Sequence, residues 1–367
     1  MAITKKIQFI NQEKTSSTST TSTSYVSQGT LVDAAKLTAG NEYLVIAWVN
    51  SVSPSTNDGA TKFGFSTSND LVGSAYVRHD TNDSGTYVGY IGHCTAPDPT
   101  QDLQVFRKRV YGSQSETTRY GQGFLIDLSY AGASGGLISG IDFSNTRDIS
   151  SNSFSTGGTM HTHTVHNSGG TQLVLATVRG YDSVNSVLYG LYINDVLVSS
   201  GSRYITDAAD VKSVGFAGGY TMSSGDTIKL KNLDANTVTV DYRYIFTLNL
   251  DNAPEPMHTG QLSTWTNHGG SSGTWGTATV DGNNDNSFVV AMGRQTVIGA
   301  ESGRMAAISL KNNTSNEYML FGNRTTDFDP LYFPATSVGA SSSQYETAVV
   351  VGTGVIGQAD TIEMHTL

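Results

Sequence analysis

The 367-residue chain has one cysteine, Cys94, so no disulfide can form within it. Proline is scarce at 7 residues. Charged residues make up 14%, against roughly 25% in an average soluble protein. Basic side chains are outnumbered 21 to 31, and the resulting net charge of −10 repels phosphate backbones. A nucleic-acid partner is therefore not expected. No apolar run approaches the roughly 20 residues of a membrane-spanning helix. The N-terminal "MAITKKIQFINQEK" has a basic pair without the apolar core that follows it in a secretory signal. Helical periodicity is missing too; the best candidate, "DAADVKSV", is short.

What the chain does contain is 40 glycines, abundant Ser, Thr and Asn, and recurring apolar runs such as "YLVIAWV". Short Val/Ile/Tyr-rich runs between Ser/Thr/Gly-rich turns predict an all-β fold. The sequence also repeats itself. "LVIAWVN", "LVLATVR" and "FVVAMGR" align on Ala47, Ala176 and Ala291, each behind a polar turn. Each leads to a second β-like run: "KFGFSTS", "LYGLYIND" and "MAAISLKN". A Val-Gly element then recurs at Tyr87, Ser213 and Ser337. Each copy closes on an alternating strand, read as "GFLIDLSY", "YIFTLNL" and "DTIEMHTL".

The predicted organisation is three tandem antiparallel β-sandwich (jelly-roll-like) domains behind an extended N-terminal arm. Residues 1–23 form a Ser/Thr-rich arm, 24–131 the first repeat and 132–157 a Gly/Ser-rich connector. Residues 158–252 form the second repeat, 253–272 a second connector and 273–367 the third repeat. Each repeat has the size of one sandwich. Strand parity adds a constraint. Leu44, Ile46 and Trp48 point to one face of their strand, Val45, Ala47 and Val49 to the other, and both sets are apolar. The second face needs a cover: a neighbouring domain, a second subunit or a loop. The matching positions in the other repeats are Leu173, Leu175, Phe288 and Val290. These residues are the expected packing and assembly strands.

"YGQGFLIDLSY" resembles the closing strand of jelly rolls of the tumour-necrosis-factor and complement-head type, and "SSGDTIKLKNL" the strand before it. "TSTSYVSQGTLVDAAKLTAGNEYLVIAWVNS" resembles the opening of β-sandwich modules in structural proteins of tailed bacteriophages. The resemblance implies symmetric assembly, a homo-oligomer with a trimer favoured, and a place on a virion. It implies a capsid decoration or head fibre that contacts other virion proteins such as the major capsid protein. Such a protein folds in the host cytoplasm and leaves by lysis, which suits a chain without a signal peptide. A tail fibre contacting host-surface glycans is the second reading, and a bacterial surface adhesin the third.

The candidate chemistry is sparse. "MHTHTVH" places three of the chain's 8 histidines in a row of seven residues. His161 and His163 share a strand face about 7 Å apart, a spacing that can hold a metal given a third ligand. The gapless match to the third repeat sets Gly276 against His161 and Ala278 against His163, so the scaffold does not require either imidazole. A surface strand is the expected reading, with metal binding or a pH-responsive contact as alternatives. Asp281, Asn283 and Asp285 imitate a calcium loop, but Asn286 and Met292 occupy its Gly and Glu positions. "FRKRV" reads as a strand with one solvated face, and Cys94 as a buried thiol. Tyrosines in "RGYDSVNSVLYGLY" and "RYGQG" could stack on sugars or serve strands by propensity. No hydrolase elbow, phosphate loop or zinc-protease motif occurs. The expected protein is non-enzymatic, with no cofactor.

Overall fold

The computed structural model describes residues 9–52, 58–66, 75–78, 86–129, 142–181, 186–204, 212–251, 273–280, 285–297, 304–305, 308–318, 337–338 and 344–366. Among them the only helical turn is the 3-10 turn Ala34–Lys36; the regular structure is otherwise β. The first sandwich contains β1 (Phe9–Lys14), β2 (Thr18–Thr20), β3 (Val26–Val32), β4 (Glu42–Val52), β5 (Asp58–Gly64), β6 (Ala75–Arg78), β7 (Thr86–Thr95), β8 (Leu103–Tyr111) and β9 (Glu116–Asp127). Its large sheet has the order β1-β9-β4-β7, with β2 also on β9, and its small sheet is β3-β8-β5-β6.

The second sandwich repeats this arrangement strand for strand. It comprises β10 (Phe143–Asp148), β11 (Asn152–Phe154), β12 (Thr159–Thr164), β13 (Gly170–Tyr181), β14 (Ser186–Ile193), β15 (Val196–Tyr204), β16 (Lys212–Met222), β17 (Thr227–Asn232) and β18 (Val238–Asn249). The large sheet is β10-β18-β13-β16, with β11 on β18, and the small sheet is β12-β17-β14-β15. Asn194 and Asp195, at φ 48 and 66, make the two-residue turn between β14 and β15, a geometry short polar side chains tolerate.

The third unit is formed by β19 (Gly273–Val280), β20 (Asp285–Val297), β21 (Arg304–Met305), β22 (Ile308–Asn312), β23 (Glu317–Tyr318), β24 (Ser337–Val338), β25 (Gln344–Ile356) and β26 (Asp360–Thr366). Its β19-β26-β22-β23 sheet matches the small sheets, and β20-β25 matches the pairs β4-β7 and β13-β16. "DTIEMHTL" is thus the counterpart of β17, "DTIKLKN", and not a closing strand. The two share the alternation Ile-x-(Leu/Met), which sequence alone cannot assign to one position in a sheet. The third Val-Gly element falls on β24, and the true counterpart of β7 and β16 is β25. Among the described residues of this unit no strand corresponds to β9 and β18.

Residues 9–20 are strands of the first sandwich rather than a separate arm, and residues 143–154 are strands of the second rather than connector. β1 and β10 are each 6 residues long, β2 and β11 each 3, and both pairs lie against the closing strand of their own sandwich. Ser/Thr-rich composition hid them, because one face of an edge strand is solvated and needs few apolar residues.

Both faces of the central strands are buried, and a neighbouring domain supplies the second cover. In sandwich 2, Val174, Ala176 and Val178 join its own core with Tyr189, Leu191, Ile228 and Leu230. Leu173 and Leu175 instead join a cluster that includes Leu44, Ile46, Phe124 and Ile126 of sandwich 1.

Candidate functional site

The histidine stretch forms β12. A bulge between Thr159 and His161 puts His161 opposite Leu230 and His163 opposite Ile228. The third unit has the same irregularity between Thr274 and Gly276, with Gly276 opposite Met364 and Ala278 opposite Ile362. The repeat alignment therefore holds in register. The surface reading does not: His163 is 0% exposed. The strand's inward parity at 161 and 163 falls on the histidines, and the outward side chain between them is Thr162.

His163 closes a buried polar corner assembled from four elements. Ser144 of β10 stands 3.0 Å from His163 Nε2 and 2.8 Å from the Thr247 hydroxyl of β18. It donates to Asn167 Oδ1 at 3.0 Å. Thr247 also reaches Asn167 Oδ1, at 3.1 Å, and Asn167 Nδ2 donates to Gln172 Oε1 of β13 at 2.5 Å. Ser144 and Thr247 can each supply the proton to Asn167 Oδ1; with Ser144 as that donor, the imidazole donates through Nε2. In either tautomer Nδ1 is buried and without a partner. Burial, with His166 and His161 nearby, pushes the imidazole down to about 4.

His161 is half-buried, with Nε2 2.9 Å from the Thr146 hydroxyl of β10. Burial lowers its pKa against the raising effect of Thr146; Arg243 lowers it further and Asp148 opposes. His166 is exposed in the following turn, its ring edge-on to His163 at 6.3 Å between centroids. Both candidate metal ligands thus commit Nε2 to hydroxyls. Among the described residues, no group of three His, Cys, Asp or Glu side chains converges on one point. The calcium-like loop at 281–284 lies outside the described residues.

The second site is the joint between sandwiches 1 and 2. β7 runs against β13 and β18. The Tyr242 hydroxyl donates to the Ile91 carbonyl at 3.3 Å, and the Tyr90 and Tyr242 rings lie 5.9 Å apart. His93 faces Phe143 of β10 at 6.0 Å, and Phe143 stacks on Phe246 at 5.8 Å. Leu44, Ile46, Leu173 and Leu175, expected as assembly residues, are buried at 0–8% within the single chain. They therefore offer no free face to a second subunit. The side chains of Trp48, Phe288 and Val290 lie outside the described residues.

The remaining candidates settle as follows. Cys94 is buried beside Tyr43, and burial pushes its thiol up to about 12, which keeps it from thiolate chemistry at neutral pH. In "FRKRV" exposure rises along the strand rather than sorting by face: Arg107 is fully buried and pairs with Glu116 at 2.5 Å, Lys108 covers the Tyr25 ring at 4.8 Å, and Val110 is exposed. Tyr189 is buried, and Tyr192 lies under Lys231 at 4.5 Å. The most exposed aromatic among the described residues is Tyr111, at 70%. Sequence reasoning missed Ser144 and Thr247 because it placed one in a connector and the other in an apolar closing strand. The gapless match of 143–154 to 9–20 was the available signal.

No family model and no curated protein matches the chain. Solved structures overlap it weakly. Eiger TNF from S. frugiperda is 15% identical over 32% of this chain and 98% of its own, at a TM-score of 0.25. Rabbit GITRL is 15% identical over 30% and 84%, at 0.18. The PBSX exported protein XepA is 10% identical over 65% and 86%, at 0.20. The first two are TNF-family jelly-roll proteins.

Proposed function

We propose that the chain is a non-enzymatic structural protein of a tailed-phage virion, an exterior capsid decoration or head-fibre protein. The observation that carries this reading is the joint. Two sandwiches are fused through their large sheets by a continuous apolar cluster, with aromatic side chains from β7, β10 and β18 interlocked. A hinge between domains normally leaves a modest polar interface; this one is core-like, which suits a rigid spacer on a particle surface. The sequence resemblance of residues 21–51 to phage β-sandwich modules supplies the virion context.

Contacts to the major capsid protein, and homo-oligomerisation with a trimer favoured, belong to the same proposal. They fall to strand edges and exposed apolar side chains such as Val110, Tyr111, Ile149, Val196 and Leu197, because the joint consumes Leu44, Ile46, Leu173 and Leu175. The second reading is a tail fibre that binds host-surface glycans, and Tyr111 is the side chain that favours it. Electron microscopy of purified particles with gold-labelled antibody separates the two. Label over the head supports decoration; label confined to the tail overturns it. In the second case, purified protein should adhere to host cells and block infection, and Tyr111→Ala should weaken that adhesion.

A further inference from the structure

We propose that the His163 corner is an acid-sensitive latch that fastens β10 to sandwich 2 and, through β10, fastens sandwich 2 to sandwich 1. The fold does not need a polar corner there. In sandwich 1 the counterpart of Ser144 opposite Thr247 is Ile10 opposite Leu125, both buried. In the third unit the position of His163 is Ala278. Buried polar networks often give no stability beyond what an apolar set would give, so a specific property is the better reason for one.

The latch follows from Nδ1. Protonation puts an N–H on both ring nitrogens, and Nδ1 has no acceptor within reach. It would place a charge and an unpaired donor in a buried corner. The ionisable neighbours offer no compensation. His161 on the same strand and His166 in the turn are themselves basic. Arg243 of β18 is paired with Asp148 of β10 at 2.5 Å, and Asp142, ahead of β10, is bound by the Ser168 amide at 3.0 Å. The corner relieves the charge by opening. The strand that leaves is β10, which holds both Ser144 in the corner and Phe143 in the joint.

The sign is that of a base with a depressed folded-state pKa. The latch is closed above the ordinary value of 6.5 and is lost as pH falls toward about 4. At pH 5 the ratio of the two proton-binding factors favours the open form about 30-fold relative to pH 7.5.

Hydrogen exchange of the full chain, read by mass spectrometry and corrected for intrinsic rates, tests this. Between pH 7.5 and 5.0, residues 142–154 should lose about 30-fold in protection. Residues 9–20, their counterparts in sandwich 1, should hold theirs. His163→Gln keeps a donor toward Ser144 and cannot take the charge, so its 142–154 segment should lose most of its pH response. Should that variant misfold, imidazole NMR titration of the wild-type chain decides: a value near 4 for His163 supports the latch, and one near 6.5 overturns it. Equal loss in both segments, or an unchanged pH response in His163→Gln, also overturns it.

Discussion

Truncating Phe246 to alanine should weaken two sandwiches at once. Phe246 is 0% exposed, stacks on Phe143 at 5.8 Å and belongs to the cluster shared with sandwich 1. Its neighbour Ile245, also 0% exposed, points the other way into sandwich 2's own core. Removing a buried phenyl ring costs about 3–5 kcal/mol from lost transfer free energy and the cavity left behind. If sandwiches 1 and 2 unfold as one unit of that size, each kcal/mol lowers the midpoint by about 2–4 °C, or roughly 6–20 °C in all. Calorimetry of the full chain reads the midpoint, and in a chain with Trp265→Phe and Trp275→Phe tryptophan fluorescence follows sandwich 1 through Trp48, since residues 142–251 contain no tryptophan. Phe246→Ala should shift the Trp48 signal together with the calorimetric transition, although the substitution lies in sandwich 2. If the Trp48 transition stays in place while another moves, the joint is not a shared core, and the rigid-spacer reading loses its basis.

Gly59→Ala should cost about 3–5 kcal/mol in sandwich 1, the range for breaking a buried ion pair; its Cβ would lie 2.3 Å from Glu116 Oε2 and 2.6 Å from Arg107 Nη2. Chemical denaturation would measure it, and a change under about 0.5 kcal/mol, the range of ordinary surface substitutions, would refute the clash. Neither zinc nor a chelator should move the unfolding midpoint, since a metal bound by the folded state would raise it. Cys94 should resist iodoacetamide in the native chain and react fully in denaturant, because its buried thiol is held protonated.

How much of this was legible in sequence depends on what each signal measures. The doubly apolar "LVIAWV" run reported burial on both faces, and the structure supplies the cover that parity required. The histidine-to-alanine alignment held to the level of the bulge, because a register fixed by the core tolerates no slip. Strand identity near the C-terminus was not legible: "DTIEMHTL" alternates as a closing strand does, and only hydrogen-bond partners distinguish the two positions. The Ser/Thr-rich edges read as arm and connector because edge strands need few apolar residues. The burial of Arg107 was not legible because its partner, Glu116, comes from β9 in the opposite sheet of the sandwich, a packing no local pattern reveals. His163 read as a surface residue for a similar reason: its partners come from three other segments.

Acid sensitivity at the joint should have a second source, and Glu42 isolates it. His93 of β7 lies 3.5 Å from Glu42 and faces Phe143 from the sandwich 1 side. Burial lowers its pKa, Glu42 raises it and Arg147 lowers it again, with a net position below 6.5. Its contribution is therefore complete above 6.5 and declines as pH falls toward the lowered folded value. Glu42→Gln removes the group that favours the imidazolium. The folded-state pKa should fall further, and the acid-unfolding midpoint should move to higher pH. The shift should be small, because Glu42 is 45% exposed and solvent screens it. The same change made in a His163→Gln background should shift the midpoint by the same amount, since the two histidines contact different faces of β10 and share no hydrogen-bond partner. A midpoint that moves to lower pH would reverse the sign assigned to Glu42. A shift that vanishes in the His163→Gln background would mean that the two histidines titrate as one coupled system.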